Sequence, residues 1–394
     1  MTKVYSGSNP GQLYMNALID LIIHGRKYSP RGKDILELRP VVFEYTNPRN
    51  RVTFLNGRVI NPFFQLAEAL WIVAGRSDVS WLTDYNKSIA QFSDDGHYFN
   101  APYGERIRYW GKNDARGYVY CPHDQLVDVY NTLTADNDTR QAYVSIWNPV
   151  FDNGSRDTRD RACNVGIDFK LRDGALDITV FNRSNDLHWG TFGANLCQFA
   201  TIQEVMASWL GVEVGTYCQI TNSLHVYTDS YGAKETQKII SAYKLDGVDL
   251  SALDTTPAVA MFKGDKEPRM TSNMERMTNI ISYYFNIMDG MVRSDAFYED
   301  DNLFENMISE VGGCTDDYWR MTIFSMIAYQ AHKRKNFKCM VIALENMQDC
   351  SWKISCLRFL SKTYAYNLDT AERFKALYDY LPLSVRAYID RIGE

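Results

Sequence analysis

The stretch Cys163-Asn164-Val165-Gly166-Ile167-Asp168-Phe169-Lys170-Leu171-Arg172-Asp173-Gly174-Ala175-Leu176-Asp177-Ile178-Thr179-Val180-Phe181-Asn182-Arg183-Ser184-Asn185-Asp186 decides the fold. Val165, Ile167, Phe169 and Leu171 alternate with other residues, and so do Leu176, Ile178 and Val180. Such alternation marks strands with one buried face. Asp173-Gly174 lies between the two runs and suits backbone at positive φ, so the stretch predicts a β-hairpin. Cys163 stands at the start of the first strand and Arg183 just past the second, so closing the hairpin brings a guanidinium beside a thiol. A neighbouring cation favours thiolate and makes cysteine a better nucleophile at neutral pH. On its own Cys163 reads as a buried structural cysteine, because free cysteine is among the most buried residue types.

Downstream, the segment from Asp186 to Asn195 is polar, aromatic and punctuated by Gly190 and Gly193, the composition of a ligand-lining loop. It runs into an amphipathic helix with Phe199, Ile202, Val205, Met206, Trp209 and Leu210 on one face. Val212-Glu213-Val214-Gly215 then leads to a strand ending in His225-Val226-Tyr227. Upstream, residues 14–24 have helical apolar spacing, and Ser29-Pro30-Arg31-Gly32-Lys33 is a basic loop. Val41, Phe43 and Tyr45 alternate as a strand. A helix over 62–74 carries Glu68 among Phe64, Leu66, Leu70 and Trp71, where a carboxylate is costly unless partnered or functional. Residues 82–92 and 125–133 read as further helices. Strands and helices mixed in this way predict an α/β (α+β) domain over 1–234. Helical patterns over 273–291, 316–332, 337–348 and 371–380 predict a mainly helical extension over 235–394, of open role. Its methionine-rich faces read as core.

Composition narrows the function. With 394 residues, 45% hydrophobic and 23% charged, the chain has the make-up of an ordinary soluble globular protein. A net charge of −6 gives no global basic field for nucleic acid, so an anionic ligand needs a local arginine cluster. The eight cysteines form no CxxC pair and fit a reducing cytoplasm. Residues 1–8 lack an apolar signal core, and no run approaches the roughly 20 apolar residues of a membrane span. No metal-ligand pattern stands out.

Cys163, then Arg183-Ser184-Asn185-Asp186, then a glycine and Asn195 before a helix, then His225-Val226-Tyr227, resembles the thymidylate synthase superfamily. Glu68 in Ala67-Glu68-Ala69-Leu70-Trp71, Tyr103-Gly104, Arg140, and Val144-Ser145-Ile146-Trp147-Asn148 match in the same order. The resemblance covers about residues 20–230 and is specific because the motifs keep their order. It implies a sheet packed back-to-back against its twin in a homodimer, a pyrimidine nucleotide substrate and 5,10-methylenetetrahydrofolate as one-carbon donor. Cys163 would add to C6 of the base, turning C5 into a nucleophile. Arg183 would bind phosphate and favour the thiolate, with Arg31, Ser184 and Arg140 of the other subunit completing the phosphate site. The resemblance also implies that Asn185 binds the substrate and that Asp186 takes part in catalysis. His225 and Tyr227 would hydrogen-bond the sugar hydroxyl. Glu68 would order water and move protons, with Tyr103 assisting loss of the C5 proton.

Asn195 would read the base. Its amide matches O4 and N3–H of uracil, whereas cytosine presents the reverse pattern and calls for aspartate; each buried mismatch costs about 1–3 kcal/mol. The Gly190–Asn195 stretch is one residue longer than in ordinary synthases.

Other departures bear on the product. Arg161-Ala162 precedes the cysteine where the family has proline, and Asn164 follows it where histidine is usual. The tryptophan-rich helix over the folate is here Ile89-Ala90-Gln91-Phe92-Ser93, and the chain ends Arg391-Ile392-Gly393-Glu394 instead of in a short apolar tail. Both lost features exclude water from the synthase intermediate, and admitting water allows a 5-hydroxymethyl product. The pattern is therefore most similar to the bacteriophage deoxyuridylate (dUMP) hydroxymethylases within the superfamily. A thymidylate synthase making dTMP and dihydrofolate, a (d)CMP hydroxymethylase, and a non-catalytic nucleotide-binding module are the alternatives. Cys163, Arg183 and Glu68 speak against the last, since binding alone needs no nucleophile.

Overall fold

The structure is a computed structural model that describes residues 2–111, 123–153, 157–245 and 267–364, with side chains to Ser361. The patterns at 371–380 and at Arg391–Glu394 lie outside the described residues, as does Cys121.

Among the described residues ten strands form two sheets. They are β1 (Lys3–Gly7), β2 (Arg26–Tyr28), β3 (Ile35–Leu38), β4 (Val41–Tyr45), β5 (Tyr143–Ser145), β6 (Asn164–Arg172), β7 (Ala175–Asn182), β8 (Asn185–Asp186), β9 (Glu213–Thr221) and β10 (Leu224–Tyr227). The larger sheet has the order β1-β4-β9-β7-β6-β5, the smaller β2-β3-β10-β8. The expected hairpin is β6–β7, antiparallel, with Leu171 opposite Leu176. Asp173 and Gly174 turn it at φ 51° and 77°, the positive-φ pair that matches strand twist.

β7 and β9 run parallel in the large sheet, and their continuations β8 and β10 run parallel in the small one. Both strands thus leave one sheet and enter the other side by side. Asn222 N–H donates to the Asn182 carbonyl at 2.9 Å and Asn185 N–H to the Ser223 carbonyl at 2.8 Å, locking the two crossings together. Arg183 and Ser184 lie in this crease.

The inner face of the large sheet packs on helix Leu196–Leu210. Sequence periodicity assigned that helix one apolar face, yet Leu196 to Ala207 and Trp209 are all buried. The C-terminal helices cover its second side. Tyr318, on helix Asp317–Lys333, meets Thr201 hydroxyl to hydroxyl at 3.0 Å, and the Met270 N–H donates to Glu204 at 3.2 Å. Glu204 pairs with Arg51, both about 1% exposed, and Arg51 lies 5.0 Å from the Tyr318 ring. Removing either partner would strand a buried charge, at a cost of about 3–5 kcal/mol.

The extension also grips helix Pro62–Val73, every residue of which is buried. Phe63 stacks on Tyr329 at 4.8 Å and meets Phe359 at 5.7 Å, while Arg358 donates to the carbonyls of Leu55 and Arg58. One apolar core runs through both parts of the chain. The expected boundary at 234/235 falls within helix Tyr231–Ala242. The anticipated extension helices are Met274–Gly290, Asp317–Lys333 and Phe337–Asn346, joined by Asp295–Glu299, Asp301–Gly312 and Ser351–Tyr364.

Two expectations change in form. The 82–92 helix is split into Val79–Thr83 and a 3-10 turn Lys87–Phe92, with Asn86 capping the second piece through Ser88 N–H. The segment expected as a loop is instead a wide π-helical winding, Leu187–Asn195, continuous with helix Leu196–Leu210. Such winding absorbs an additional residue without breaking the helix. Gly190 permits it, since a Cβ there would stand 2.0 Å from Asn185 Oδ1.

Candidate active site

The hairpin brings its two ends together as its register requires. Arg183 N–H donates to the Cys163 carbonyl at 3.0 Å, and Arg183 Nη2 stands 4.0 Å from Cys163 Sγ. The guanidinium is held by the Ala162 carbonyl at 2.8 Å and lies 5.6 Å from the Trp147 ring. Burial nonetheless pushes the Cys163 thiol above its ordinary range; Arg183 and Arg31 pull it back, and Asp160 and Asp186 push it up. The cation is where the sequence put it, but in this state desolvation outweighs it. Arg31 sits in the turn Pro30–Gly32 at φ 55° and acts on both Cys163 and Tyr227.

Tyr103 begins helix Tyr103–Arg108, and its hydroxyl accepts the Cys163 N–H at 3.3 Å. Burial, with Cys163 and Asp160 nearby, raises its phenol and keeps it protonated. Asp160 anchors the approach by accepting the Ala101 N–H at 2.7 Å.

Four asparagines form the floor. Asn195 Nδ2 donates to Asn164 Oδ1 at 3.4 Å and to Asn185 Oδ1 at 3.3 Å, and Asn182 bonds to Asn164 from behind. Thr221 donates to Asn182 Oδ1 at 3.2 Å. Asn164, in the position where the family's histidine is usual, thus packs against the amide expected to read the base. The Asn185 Nδ2 has no partner in the protein. Sequence reasoning noted Asn164 as a departure and passed over Asn182; its clue was an asparagine continuing the buried face of Leu176, Ile178 and Val180.

Asp186 caps the π-helical segment by accepting the His188 N–H at 2.8 Å. Burial raises its carboxyl and His225 lowers it; the two are register partners between β8 and β10. His225 is buried and meets Tyr227 edge-on at 5.3 Å. Ser184 is half-buried between Arg183 and Asn185. His188 was not foreseen as part of the site. It bonds to Tyr14 through Nδ1 and to Thr236 at 2.9 Å through Nε2, and burial pushes it down to about 3.

Glu68 lies on the buried helix Pro62–Val73, 9% exposed, and its Oε2 has no partner. Burial pushes its carboxyl up to about 7, and an interaction with the Gln198 amide pulls it back part of the way. Phe64, one helical turn before Glu68, faces the half-exposed Trp189 at 5.9 Å.

Arg140 stands apart. It is exposed, among Asp136, Asp138, Thr139 and Gln141, just before β5. Arg172, at the turn end of β6, donates to the Thr139 carbonyl at 3.3 Å. At about 3.3 Å per residue, the strand separates that end from Cys163 by roughly 30 Å. Among the described residues no group of three or more His, Cys, Asp or Glu side chains could hold a metal ion, and no helix is long and apolar enough to cross a membrane.

The thymidylate synthase family model matches residues 12–261. The chain belongs to the thymidylate synthase family. It is 50% identical over 380 residues to the deoxyuridylate hydroxymethyltransferase of Bacillus phage SP01, covering 96% of this chain and 98% of that one. The protein of the same description from Pseudomonas phage M6 is 28% identical, over 92% and 95% of the two chains. That from Delftia phage PhiW-14 is 27% identical, over 79% and 84%. These matches extend beyond the family domain into the helical extension.

Proposed function

We propose that this chain transfers a one-carbon unit from 5,10-methylenetetrahydrofolate to C5 of dUMP and adds water, giving 5-hydroxymethyl-dUMP and tetrahydrofolate. The observation that carries the reading is the 50% identity, over 96% of the chain, to a protein described as a deoxyuridylate hydroxymethyltransferase. Asn195 supports the uracil base, because its amide can meet both O4 and N3–H.

Cys163 attacks C6, with Arg183 and Arg31 offsetting the burial that opposes the thiolate. Their charges also suit the phosphate, and Ser184 lies beside them. His225 and Tyr227 take the sugar hydroxyl, and Asn185 supports Asn195. Once C5 carries the one-carbon unit, the half-buried phenol of Tyr103 assists loss of the C5 proton, and Glu68 moves protons through ordered water. A carboxyl near 7 can do so in either direction at working pH. Asp186 orients His225 and the π-helical segment. The part-exposed Trp189, backed by Phe64 one helical turn before Glu68, offers an apolar ring surface that fits the ring system of a reduced folate.

Two copies share each site in this reading. The outer face of the large sheet carries Val42, Glu44, Thr179, Phe181, Cys218 and Ile220, all part-exposed, which suits a sheet-to-sheet homodimer. Such a dimer accounts for the distance of Arg140 from its own Cys163. Residues 1–234 would supply the chemistry and 235–394 the support for the Glu68 helix. The working compartment would be the cytoplasm of a phage host. Release of tritium from C5 of labelled dUMP, dependent on methylenetetrahydrofolate, tests the reading; no release would refute it.

A further inference from the structure

Two side chains that interact with each other, Glu68 and Gln198, each keep a buried acceptor without a hydrogen-bond partner in the protein. Gln198 is 3% exposed on helix Leu196–Leu210, and its amide interacts with the Glu68 carboxylate. The nitrogen must face that carboxylate, because the reversed amide would set oxygen against oxygen. Gln198 Oε1 and Glu68 Oε2 are then both left without a hydrogen-bond partner in the protein. Leaving one such acceptor bare costs about 1–3 kcal/mol, so two on interacting side chains call for a donor that can serve both. Gln198 follows Asn195 by three residues and so lies on the same side of the helix.

We propose that Gln198 and Glu68 form a two-point cradle for the water that adds to the substrate, which makes Gln198 a positioning and product-determining residue. This rests on the reading of the reaction given above. A water donating both its hydrogens to Glu68 Oε2 and Gln198 Oε1 turns its lone pairs outward. With Asn195 on O4 of the base, the cradle faces the neighbouring C5 and its exocyclic methylene. The water oxygen bonds to the methylene carbon, and the C=C electrons move into the C4 carbonyl as an enolate. The enolate re-forms the C5=C6 bond and expels the Cys163 thiolate, while the water's proton passes to Glu68. No oxidant or reductant is consumed.

The test is Gln198→Met, which keeps length and bulk but removes the acceptor. Single turnovers with C5-tritiated dUMP and methylenetetrahydrofolate separate the early and late steps. We expect tritium release within about threefold of the parent protein, and formation of 5-hydroxymethyl-dUMP slowed by about tenfold or more. Adding 2-mercaptoethanol should then divert the trapped intermediate to a 5-thioether. A product-to-tritium ratio equal to that of the parent, or equal losses in both, would overturn the proposal. Should the variant not fold, a crystal structure of the unaltered protein with dUMP decides. A water bonded to both oxygens supports the cradle, and a direct protein contact or an empty gap there overturns it. If the unaltered protein makes dTMP, it is the reaction itself that has been misread, and the partition in Gln198→Met is then between methyl product and thioether.

Discussion

Arg183 Nη2 lies 4.0 Å from Cys163 Sγ, and the same arginine's backbone N–H is bonded to the Cys163 carbonyl at 3.0 Å. Charge and nucleophile are therefore tied by a strand register, not by a flexible loop. The pairing sits in the crease where β7 and β9 pass from one sheet to the other. Burial still holds the thiol above its usual range, so the arginine offsets a penalty without abolishing it.

Removing that offset should show directly. Arg183→Gln should raise the midpoint pH for alkylation of Cys163 by iodoacetamide, read by mass spectrometry at that residue. Cys163→Ser should fold and bind dUMP yet lose turnover by about a thousandfold or more. A serine variant keeping a tenth of the activity would remove Cys163 from the mechanism.

Glu68 makes a stability prediction with a definite sign. Its folded carboxyl lies at about 7 against an ordinary 4.5, so the native state holds the proton more tightly than the unfolded chain. Folding is then favoured by this group at low pH and opposed increasingly as pH rises from 4.5 through 7. Glu68→Gln should be about as stable as the parent at pH 4.5 and more stable at pH 8, by on the order of 3 kcal/mol. Urea unfolding at both pH values checks it; a variant less stable at pH 8 would contradict it. Turnover should fall in the same variant.

Arg140 lies at the turn end of β6, roughly nine strand residues from Cys163. Mixing an Arg140→Ala chain with a Cys163→Ala chain should therefore restore activity, since one site of each hybrid dimer has both groups. Activity that stays absent after verified subunit exchange would place each site within one chain.

The asparagine floor bears on base choice. Asn195→Asp puts a carboxylate against Asn164 Oδ1 and Asn185 Oδ1, where the amide now donates. It should lower turnover of dUMP by about tenfold or more and raise relative activity on dCMP, as measured by competing the two nucleotides. An unchanged preference for dUMP would mean that another residue reads the base.

The hairpin and its chemistry were legible because strand alternation, the Asp173-Gly174 turn and the Cys163–Arg183 spacing are all local. Glu68 was legible as a charge inside an apolar face. The π-helical course of Leu187–Asn195 was not, since two glycines and several polar residues look alike in a loop and in a wide helix. What fixes the winding is remote: Arg58 donates to the His188 carbonyl at 2.8 Å and Gln65 to the Gly193 carbonyl at 3.0 Å. Helix Leu196–Leu210 misled for a similar reason. Gln198, Thr201 and Glu204 read as a solvated side, yet each is buried against another part of the chain. Helix Ser351–Tyr364 escaped notice because Lys353 and Arg358 break its apolar pattern; in the fold their charged ends reach the Met347 and Leu55 carbonyls.

The nucleophile that meets the methylene intermediate decides the product. Hydride transfer would give dTMP and oxidise the folate to dihydrofolate, whereas addition of water leaves tetrahydrofolate. The decisive measurement is the reaction of dUMP with methylenetetrahydrofolate in oxygen-18 water, followed by absorbance and by mass spectrometry of the nucleotide. Addition of water gives no absorbance rise from dihydrofolate and places one oxygen-18 in the new 5-hydroxymethyl group. Stoichiometric dihydrofolate with unlabelled dTMP would contradict it.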